Sequence, residues 1–271
     1  MDQRTGVNAD QRAWPASREE GLRRLRAFAP RMGAHYKTRR NYDLGPEERG
    51  NVSLLSPYLR RRLVTEAEAV ETALAHHAPS TCEKFVQEVI WRGYFKGWLE
   101  RRPSVWRAYR AGLAEDRARL AEDRALAKAV TKAEAGETGL EAFDAWAREL
   151  VETGYLHNHA RMWFASIWIF TLGLPWRLGA DFFLRHLLDG DPASNTLGWR
   201  WVAGLHTKGK NYTANAWNIA KFTGRRFEPA PRDLDEDAPP LVEDAATPDP
   251  APVPAAGRLA DGLIALLITE E

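Results

Sequence analysis

The stretch 153–201 constrains the fold more than any other, because it sets polar residues into an apolar, helix-rich run. It runs TGYLHNHARMWFASIWIFTLGLPWRLGADFFLRHLLDGDPASNTLGWRW, and its polar members are Asn158, Arg161, Asp189, Asp191 and Asn195. Polar groups buried without a partner cost free energy, so such a set needs a ligand or each other. The residues alone predict a pocket for a large, planar molecule with polar edges. They also predict an ion pair at its edge between Arg161 and one of the two aspartates.

Two segments of this stretch, TGYLHNHARM and LLDGDPASNTLGWRW, resemble the flavin-binding centre of the DNA photolyase and cryptochrome family. The family pattern at these places is roughly TGWMHNRLRM and LIDGDLAxNNGGWQW, and the spacing agrees as well as the residues. The resemblance extends over about residues 36–204. It implies an all-α fold, the helical FAD-binding domain of that family, with FAD as the cofactor.

The resemblance also implies which side chains hold FAD. HYKTRRN is similar to the family's YxxxRDxP segment, and LSPYL at 55–59 is similar to its phosphate loop. The residues implied are Tyr36, Ser53, Leu55, Ser56, Arg92, Asn158, Arg161, Asp189, Asp191 and Asn195. Ser53 and Ser56 can cap a helix whose free N–H groups favour an anion, although the segment by itself is also an ordinary capped helix.

EVIWRGYF resembles the family's ELIWREFY, where the Glu and Trp line the cavity that receives a flipped-out pyrimidine dimer. The catalytic positions implied are Glu88, Asn158, Met162 and Asn195. The substrate or DNA positions implied are Glu88, Trp91, Arg92, Met162 and Trp201. Without the resemblance, Glu88 and Arg92 are a surface pair one helical turn apart. His157 and His159 do not match the histidines of six-four photolyases, and we interpret them as structural.

Electron transfer is expected to differ from the family pattern, in which three tryptophans lead from the flavin to the surface. By spacing, Trp199 matches the proximal position and Trp176 the middle one. The distal position aligns with Ala133, which has no ring. We therefore expect slower or rerouted photoreduction.

Composition divides the chain into a polar leader (1–20), a helical FAD-binding domain (21–227) and an acidic, Pro- and Ala-rich tail (228–271) predicted to be disordered or extended. Eleven acidic residues against two arginines give the tail a net charge of −9. Since the whole chain carries +1, residues 1–227 carry +10. This layout suits nucleic-acid binding, or equally a dispersed solvated surface.

Several absences restrict the class of protein. A single cysteine, Cys82, excludes a disulfide framework, and the sequence predicts no metal site. The chain lacks an N-terminal apolar run or a spanning segment, which predicts a soluble, cytoplasmic protein without membrane contact. Family members normally carry an α/β domain before the helical one. The leader is too short to encode that domain, so we expect no antenna pigment in this chain.

Three functions follow from the resemblance. The first is a deoxyribodipyrimidine photo-lyase, an enzyme that transfers an electron from reduced flavin to a cyclobutane pyrimidine dimer in ultraviolet-damaged DNA. The second is a cryptochrome-like blue-light photoreceptor without repair activity, which signals to a protein partner through the acidic tail. The third is a flavin-binding protein that binds nucleic acid without repairing it.

Overall fold

The computed structural model describes residues 14–207, 209–243, 248–253 and 255, and in these ranges the regular structure is helical throughout. The predicted all-α fold is confirmed for this part of the chain. Most of the predicted leader (1–13) and much of the predicted tail (244–247, 254 and 256–271) lie outside the described residues.

Twelve α-helices are described. They are α1 (Arg18–Phe28), α2 (Ala34–Arg39), α3 (Ser56–Arg60), α4 (Glu66–His76), α5 (Pro79–Glu100), α6 (Pro103–Glu122), α7 (Arg124–Ala135), α8 (Glu141–Thr153), α9 (Asn158–Ser166), α10 (Trp176–His186), α11 (Pro192–Val202) and α12 (Ala216–Phe222). A π-helical turn (Ile167–Thr171) extends α9, one 3₁₀ turn (Ala29–Arg31) follows α1, and another (Pro231–Asp233) lies at the start of the tail.

The helices pack around two large apolar cores, and α5 lies between them. The N-terminal core includes Phe28, Tyr58 and Phe85, whereas the C-terminal core is built around buried aromatic rings such as Trp163 and Trp168. Helix α5 contacts α2 and α4 on one side and α11 on the other. A helix shared in this way leaves a cleft between the two cores.

The turn between α8 and α9 brings the polar residues of α9 to this cleft. Helix α8 ends at Gly154, whose φ of 66° is the left-handed conformation that glycine adopts without strain. A Cβ there would lie 2.7 Å from the Leu188 side chain, so the chain also passes too close for another residue. His157 then caps α9 by accepting a hydrogen bond from the backbone N–H of His159.

Both ends of the described chain pack on this helical body. Trp14 stacks on Tyr155 with ring centroids 5.6 Å apart, and its indole N–H donates to the carbonyl of Thr153. In the tail, Leu234 and Ala238 are buried, and the backbone N–H of Leu241 donates to the carbonyl of Ala203. The described tail is therefore largely extended and held against the body.

Candidate cofactor and substrate site

A cavity of about 920 Å³ lies in the cleft between the two cores. It is lined by residues of α2, α5, α9 and α11, by the loop before α3 and by the end of α10. Every residue predicted to bind cofactor or substrate lines it: Tyr36, Ser53, Leu55, Ser56, Glu88, Trp91, Arg92, Asn158, Arg161, Met162, Asp189, Asp191, Asn195 and Trp201. Trp199 lines it as well, whereas Trp176 lies outside it.

Arg161 forms its ion pair with Asp189, at 2.9 Å between Nη2 and Oδ2. Its Nε also donates to the carbonyl of Leu156, which fixes the guanidinium. Burial by itself raises the pKa of the Asp189 carboxyl, but Arg161 and the more distant Arg92 lower it by more, so the net pKa lies below its usual value. The cavity therefore has an ion pair in its wall, and its surroundings favour the charged form of Asp189.

Asp191 is engaged differently from Asp189. Its carboxylate caps α11 by accepting hydrogen bonds from the backbone N–H groups of Ala193 and Ser194, at 3.0 and 2.9 Å. Lys96 and Arg60 lie 3.4 and 3.6 Å from its other oxygen. This aspartate fixes the start of α11 and, with it, the position of the residues that α11 presents to the cavity.

The loop before α3 was predicted to cap a helix through Ser53 and Ser56, and that prediction was wrong. Leu55 occupies the N-cap position without a side-chain capping bond, and α3 has only five residues. Ser56 is the first residue of the helix, so its hydroxyl cannot cap it. Leu54 has a φ of 55°, an uncommon conformation for a leucine and a local strain of the kind found at binding sites.

Several buried polar atoms in the cavity wall have no hydrogen-bond partner among the described residues. They are Nε and Nη2 of Arg92, Oδ1 of Asp189 and Oγ of Ser194. Buried donors and acceptors are rarely left unpaired in a folded protein, because desolvation without a partner is unfavourable. A ligand with both donor and acceptor groups would satisfy them.

Aromatic side chains stand at the mouth of the cavity. Trp91 and Trp201 are 49% and 38% exposed, and Trp201 stacks on Tyr212 with ring centroids 5.6 Å apart. Glu88 lines the cavity as well, and its carboxylate accepts a hydrogen bond from the guanidinium of Arg40 at 2.5 Å. The mouth thus offers flat apolar surfaces beside a charged acceptor.

Three further predicted residues present polar or soft groups to the cavity. Asn195 donates from Nδ2 to the carbonyl of Ala180 at 2.8 Å, which leaves its Oδ1 as the atom available to a ligand. Asn158 and Met162 lie one helical turn apart on α9 and therefore share a face.

The tryptophans predicted to carry electrons are both buried, at 3% exposure. The Trp199 ring lies against Gly179, where an added Cβ would come within 2.3 Å of it. Trp176 is one turn before Gly179 on the same helix, α10. Beyond Trp176, Tyr109 lies 5.6 Å away and Trp106 a further 5.2 Å, between ring centroids. Ala133 is buried in α7.

The sequence did not single out Tyr155, which lines the cavity, or Lys96, which lies 3.4 Å from the Asp191 carboxylate. Lys96 follows Arg92 by four residues on α5, and this spacing could have placed it on the same face. Tyr155 is packed between Trp14 and the guanidinium of Arg49, contacts that join residues far apart in sequence. No local sequence pattern predicts a contact between residues so far apart in the chain.

The residues 85–232 match the family model described as the FAD binding domain of DNA photolyase. The chain belongs to the photolyase/cryptochrome family. FAD is its cofactor, and the unpaired polar atoms in the cavity wall suit a dinucleotide that carries both donors and acceptors.

Curated relatives and solved structures agree with this family. The chain is 40% identical to a deoxyribodipyrimidine photo-lyase of Streptomyces griseus, over 57% of the chain and 32% of that relative. A photo-lyase of Alkalihalophilus pseudofirmus is 33% identical over 73% of the chain and 40% of the relative. The chain thus spans less than half the length of these relatives.

The crystal structure of a bacterial class III photolyase from Agrobacterium tumefaciens superposes with a TM-score of 0.64 at 27% identity, over 78% of this chain and 43% of that one. A Synechocystis cryptochrome gives the same TM-score at 24% identity, over 81% of this chain and 46% of that one, and this likeness concerns the fold alone. Within the described ranges, no helix combines the length and apolarity needed to cross a membrane.

Proposed function

We propose that this photolyase-family domain repairs cyclobutane pyrimidine dimers in ultraviolet-damaged DNA by light-driven electron transfer. The observation that carries the proposal is the position of Trp91, Trp201 and Glu88 at the mouth of the cavity whose wall holds the Arg161–Asp189 pair. A cyclobutane dimer joins two adjacent pyrimidines of one strand, and it must leave the duplex to reach such a cavity. The exposed indole rings offer stacking surfaces to bases that have left it.

On the cofactor side, the proposal assigns the polar lining to FAD. FAD, when bound, absorbs blue light and supplies a low-potential electron. Arg161 and Arg92, which line the cavity, would hold its polar groups, and Oδ1 of Asn195, left free by the bond of Nδ2 to Ala180, would accept a hydrogen bond from the reduced ring. An amide oxygen accepts such a bond without supplying a proton, so Asn195 favours the reduced form that repair needs.

On the substrate side, the residues act on a dimer that stacks between apolar rings. Glu88 accepts hydrogen bonds from the pyrimidine N–H groups, and Met162 and Asn158 complete the wall. The dimer gains one electron, its two linking carbon–carbon bonds break, and the electron is returned. Glu88 and the aromatic rings hold the dimer in place and exclude water while this happens.

Repair can be measured directly. Chemically reduced protein is mixed with an oligothymidine that contains cyclobutane dimers, and recovery of the thymine absorbance is followed under blue light and in the dark. We expect recovery only in the light. Glu88→Gln should lower kcat/KM about tenfold or more, since a hydrogen bond to a charged group contributes about 1.5–3 kcal/mol.

Glu83→Gln is the matched control. Glu83 lies on the same helix but is exposed and outside the cavity, where it accepts a hydrogen bond from Gln87. The two variants make the same chemical change, so only the position differs. Absence of light-dependent recovery from a protein shown to hold reduced FAD would reject the repair proposal.

The second candidate is a blue-light photoreceptor, and the docked tail favours it. Glu243 of the tail accepts a hydrogen bond from the indole N–H of Trp176, the residue proposed as the middle electron carrier. A tail in contact with an electron carrier has a physical route to respond to light. Under this proposal, residues 228–271 would present a light-dependent surface to a protein partner, while residues 21–227 form the flavin unit.

A further inference from the structure

A single carboxylate of the tail lies at the centre of a charged cluster on α10 and α11. Glu243 accepts hydrogen bonds from Trp176 Nε1 at 3.1 Å, from Arg177 Nη2 at 2.5 Å and from Arg200 Nη1 at 3.3 Å. Its side chain is 27% exposed, and those of Arg177 and Arg200 are 22% and 14% exposed. The end of the segment 234–243 is thus held by ion pairs that depend on the charge of one residue, in addition to the contacts of Leu234, Ala238 and Leu241 with the body.

Arg177 has a second carboxylate within reach. Asp116 of α6 is buried, and its Oδ2 lies 3.7 Å from Arg177 Nη1, beyond hydrogen-bond distance. Within the described ranges, Oδ2 of Asp116 and Nε of Arg177 both lack a hydrogen-bond partner. Burial raises the pKa of the Asp116 carboxyl despite the opposing effect of Arg177 and of Arg119, whose Nη1 lies 3.6 Å from its other oxygen. Arg177 is therefore shared between two acids and satisfies only one.

Arg177 repels a positive charge on the Trp176 ring. The guanidinium carbon of Arg177 lies 5.0 Å from the ring centroid, so a one-electron-oxidised Trp176 would face another cation at short range. Loss of the Nε1 proton removes that repulsion, because the radical that remains is neutral. The proton has an acceptor already in hydrogen-bond contact, the Glu243 carboxylate.

The neighbouring ring offers a poor alternative. Tyr109 is next to Trp176, but its buried hydroxyl has no hydrogen-bond partner among the described residues. A tyrosine gives up an electron readily only when a base takes its hydroxyl proton. Among the described residues, no base forms a hydrogen bond with the Tyr109 hydroxyl. Oxidation should therefore stop at Trp176 rather than pass through Tyr109 to Trp106.

We propose that Glu243 is the proton acceptor for light-oxidised Trp176 and that its protonation releases the tail. This inference rests on the proposed electron relay. The photoexcited oxidised flavin is the oxidant. Trp199 loses one electron to it and regains one from Trp176, and Trp176 then transfers its Nε1 proton to Oε1 of Glu243. The neutral Glu243 no longer binds Arg177 and Arg200 as ions, and Arg177 turns to Asp116.

The test compares Glu243→Gln with the wild-type holoprotein. Glutamine keeps the length and the acceptor oxygen but cannot take a proton as a carboxylate does. After a blue flash, we expect the wild-type tryptophan radical to change from its cationic to its neutral absorption, and to do so more slowly in D₂O. In Glu243→Gln this conversion should be at least about tenfold slower, as expected when a positioned base is lost.

Three variants control the position, the chemistry and the end of the relay. Glu228→Gln neutralises another tail carboxylate, which pairs with Arg225 and does not touch the tryptophans, and it should leave the conversion unchanged. Glu243→Asp restores a carboxylate one methylene shorter and should recover part of the wild-type rate. Trp106→Phe should have no effect, since oxidation is proposed to stop before it.

Release of the tail has its own measurement, which does not depend on repair. The amide N–H of Leu241 donates to Ala203 and is protected while the tail is docked. Hydrogen exchange of the segment 234–243 should rise on illumination in the wild type. In Glu243→Gln it should be high in the dark, because the ion pairs are already lost, and this holds with or without FAD.

The outcomes separate this inference from the repair proposal. A conversion rate in Glu243→Gln equal to that of the wild type, in a protein where Trp199→Phe abolishes photoreduction, would overturn the role of Glu243 and leave the relay intact. Photoreduction unaffected by Trp199→Phe would overturn the relay and this inference with it. Repair by chemically reduced protein does not use the relay, so Glu243→Gln should repair as the wild type does.

Discussion

His157 shows how one buried side chain joins the cavity wall. Its Nε2–H donates to the carbonyl of Arg40 at 3.0 Å, and its Nδ1 accepts from the N–H of His159. These two bonds need the neutral ring, with one donor and one acceptor nitrogen. Burial lowers the pKa of His157 to about 4, as expected when charging would break this arrangement.

This pKa predicts a loss of stability in acid. Between about pH 6.5 and pH 4 the unfolded chain binds a proton at His157 that the folded chain does not, so the free energy of unfolding falls as the pH falls. One such group contributes a slope of at most about 1.4 kcal/mol per pH unit. Asparagine at this position keeps the cap of α9 and does not titrate. His157→Asn should therefore show a smaller slope.

Urea unfolding at several pH values between 7.5 and 4.5 measures this slope. The comparison is between slopes and not between absolute stabilities, because His157→Asn also loses the bond to Arg40. His159, whose pKa is lowered too, stays in both proteins and contributes equally. Equal slopes in the two proteins would show that His157 is not the group responsible.

At the scale of elements, the contact between α10 and α11 fixes Trp199 beside the cavity. The edge of its ring lies on the backbone of α10 at Gly179, and Trp168 approaches the same point. An added Cβ at Gly179 would lie 2.3 Å from Trp199 and 2.9 Å from Trp168. Both rings are buried and confined by other aromatic rings, so neither has room to retreat.

Gly179→Ala should therefore destabilise the protein by about 1–3 kcal/mol, the usual cost of overpacking a filled core. Gly97→Ala is the matched control, since Gly97 is also within a helix and no atom lies within 4 Å of an added Cβ. That variant should stabilise the protein by about 0.5–1 kcal/mol, through helix propensity. Chemical unfolding of both variants tests the pair. An unchanged free energy of unfolding in Gly179→Ala would mean that α10 and α11 can move apart to accommodate the added methyl group.

The elements and the polar set of the site follow from the sequence to different degrees. The set Arg161, Asp189 and Asn195 could be predicted because charged groups in an apolar run must meet one another or a ligand. The choice of Asp189 over Asp191 could not, since it depends on Asp191 being occupied at the start of α11. The sequence also predicted a serine cap before α3 that the structure does not have, for a related reason. A serine near a helix start is a capping signal only if the chain places it one residue earlier.

The contacts of the tail could not be predicted from the sequence, because they join residues that are far apart in the chain. Composition predicted that the tail is disordered or extended, but its acidic residues gave no sign of which of them pairs with the body. Glu243 meets Trp176 and Arg177 across more than sixty positions of sequence. Only the packed structure decides which carboxylate is docked and which are left to act through their charge alone.

At the scale of the whole molecule, the tail and the body carry opposite net charges. The body carries +10 and the tail −9. Five acidic residues follow Glu243 in sequence: Asp244, Asp249, Asp261, Glu270 and Glu271. They share one chain with the basic body, so they compete with DNA phosphates for its positive charge. The tail should therefore weaken binding to any DNA, damaged or not.

Replacing these five acids by their amides should raise the affinity for undamaged duplex DNA several-fold at about 50 mM salt, because phosphate contacts dominate such binding. The difference should shrink at about 200 mM salt, where the charges are screened over about 8–10 Å. Fluorescence anisotropy with a labelled duplex measures both affinities. The matched control exchanges Asp for Glu and Glu for Asp at the same positions, which alters the side chains and preserves the charge. Equal affinities of the amide variant and this control at low salt would mean that the tail charge does not reach the DNA-binding surface. A gain in affinity that persists at high salt would instead indicate that the amide variant has lost a specific contact and not only a charge.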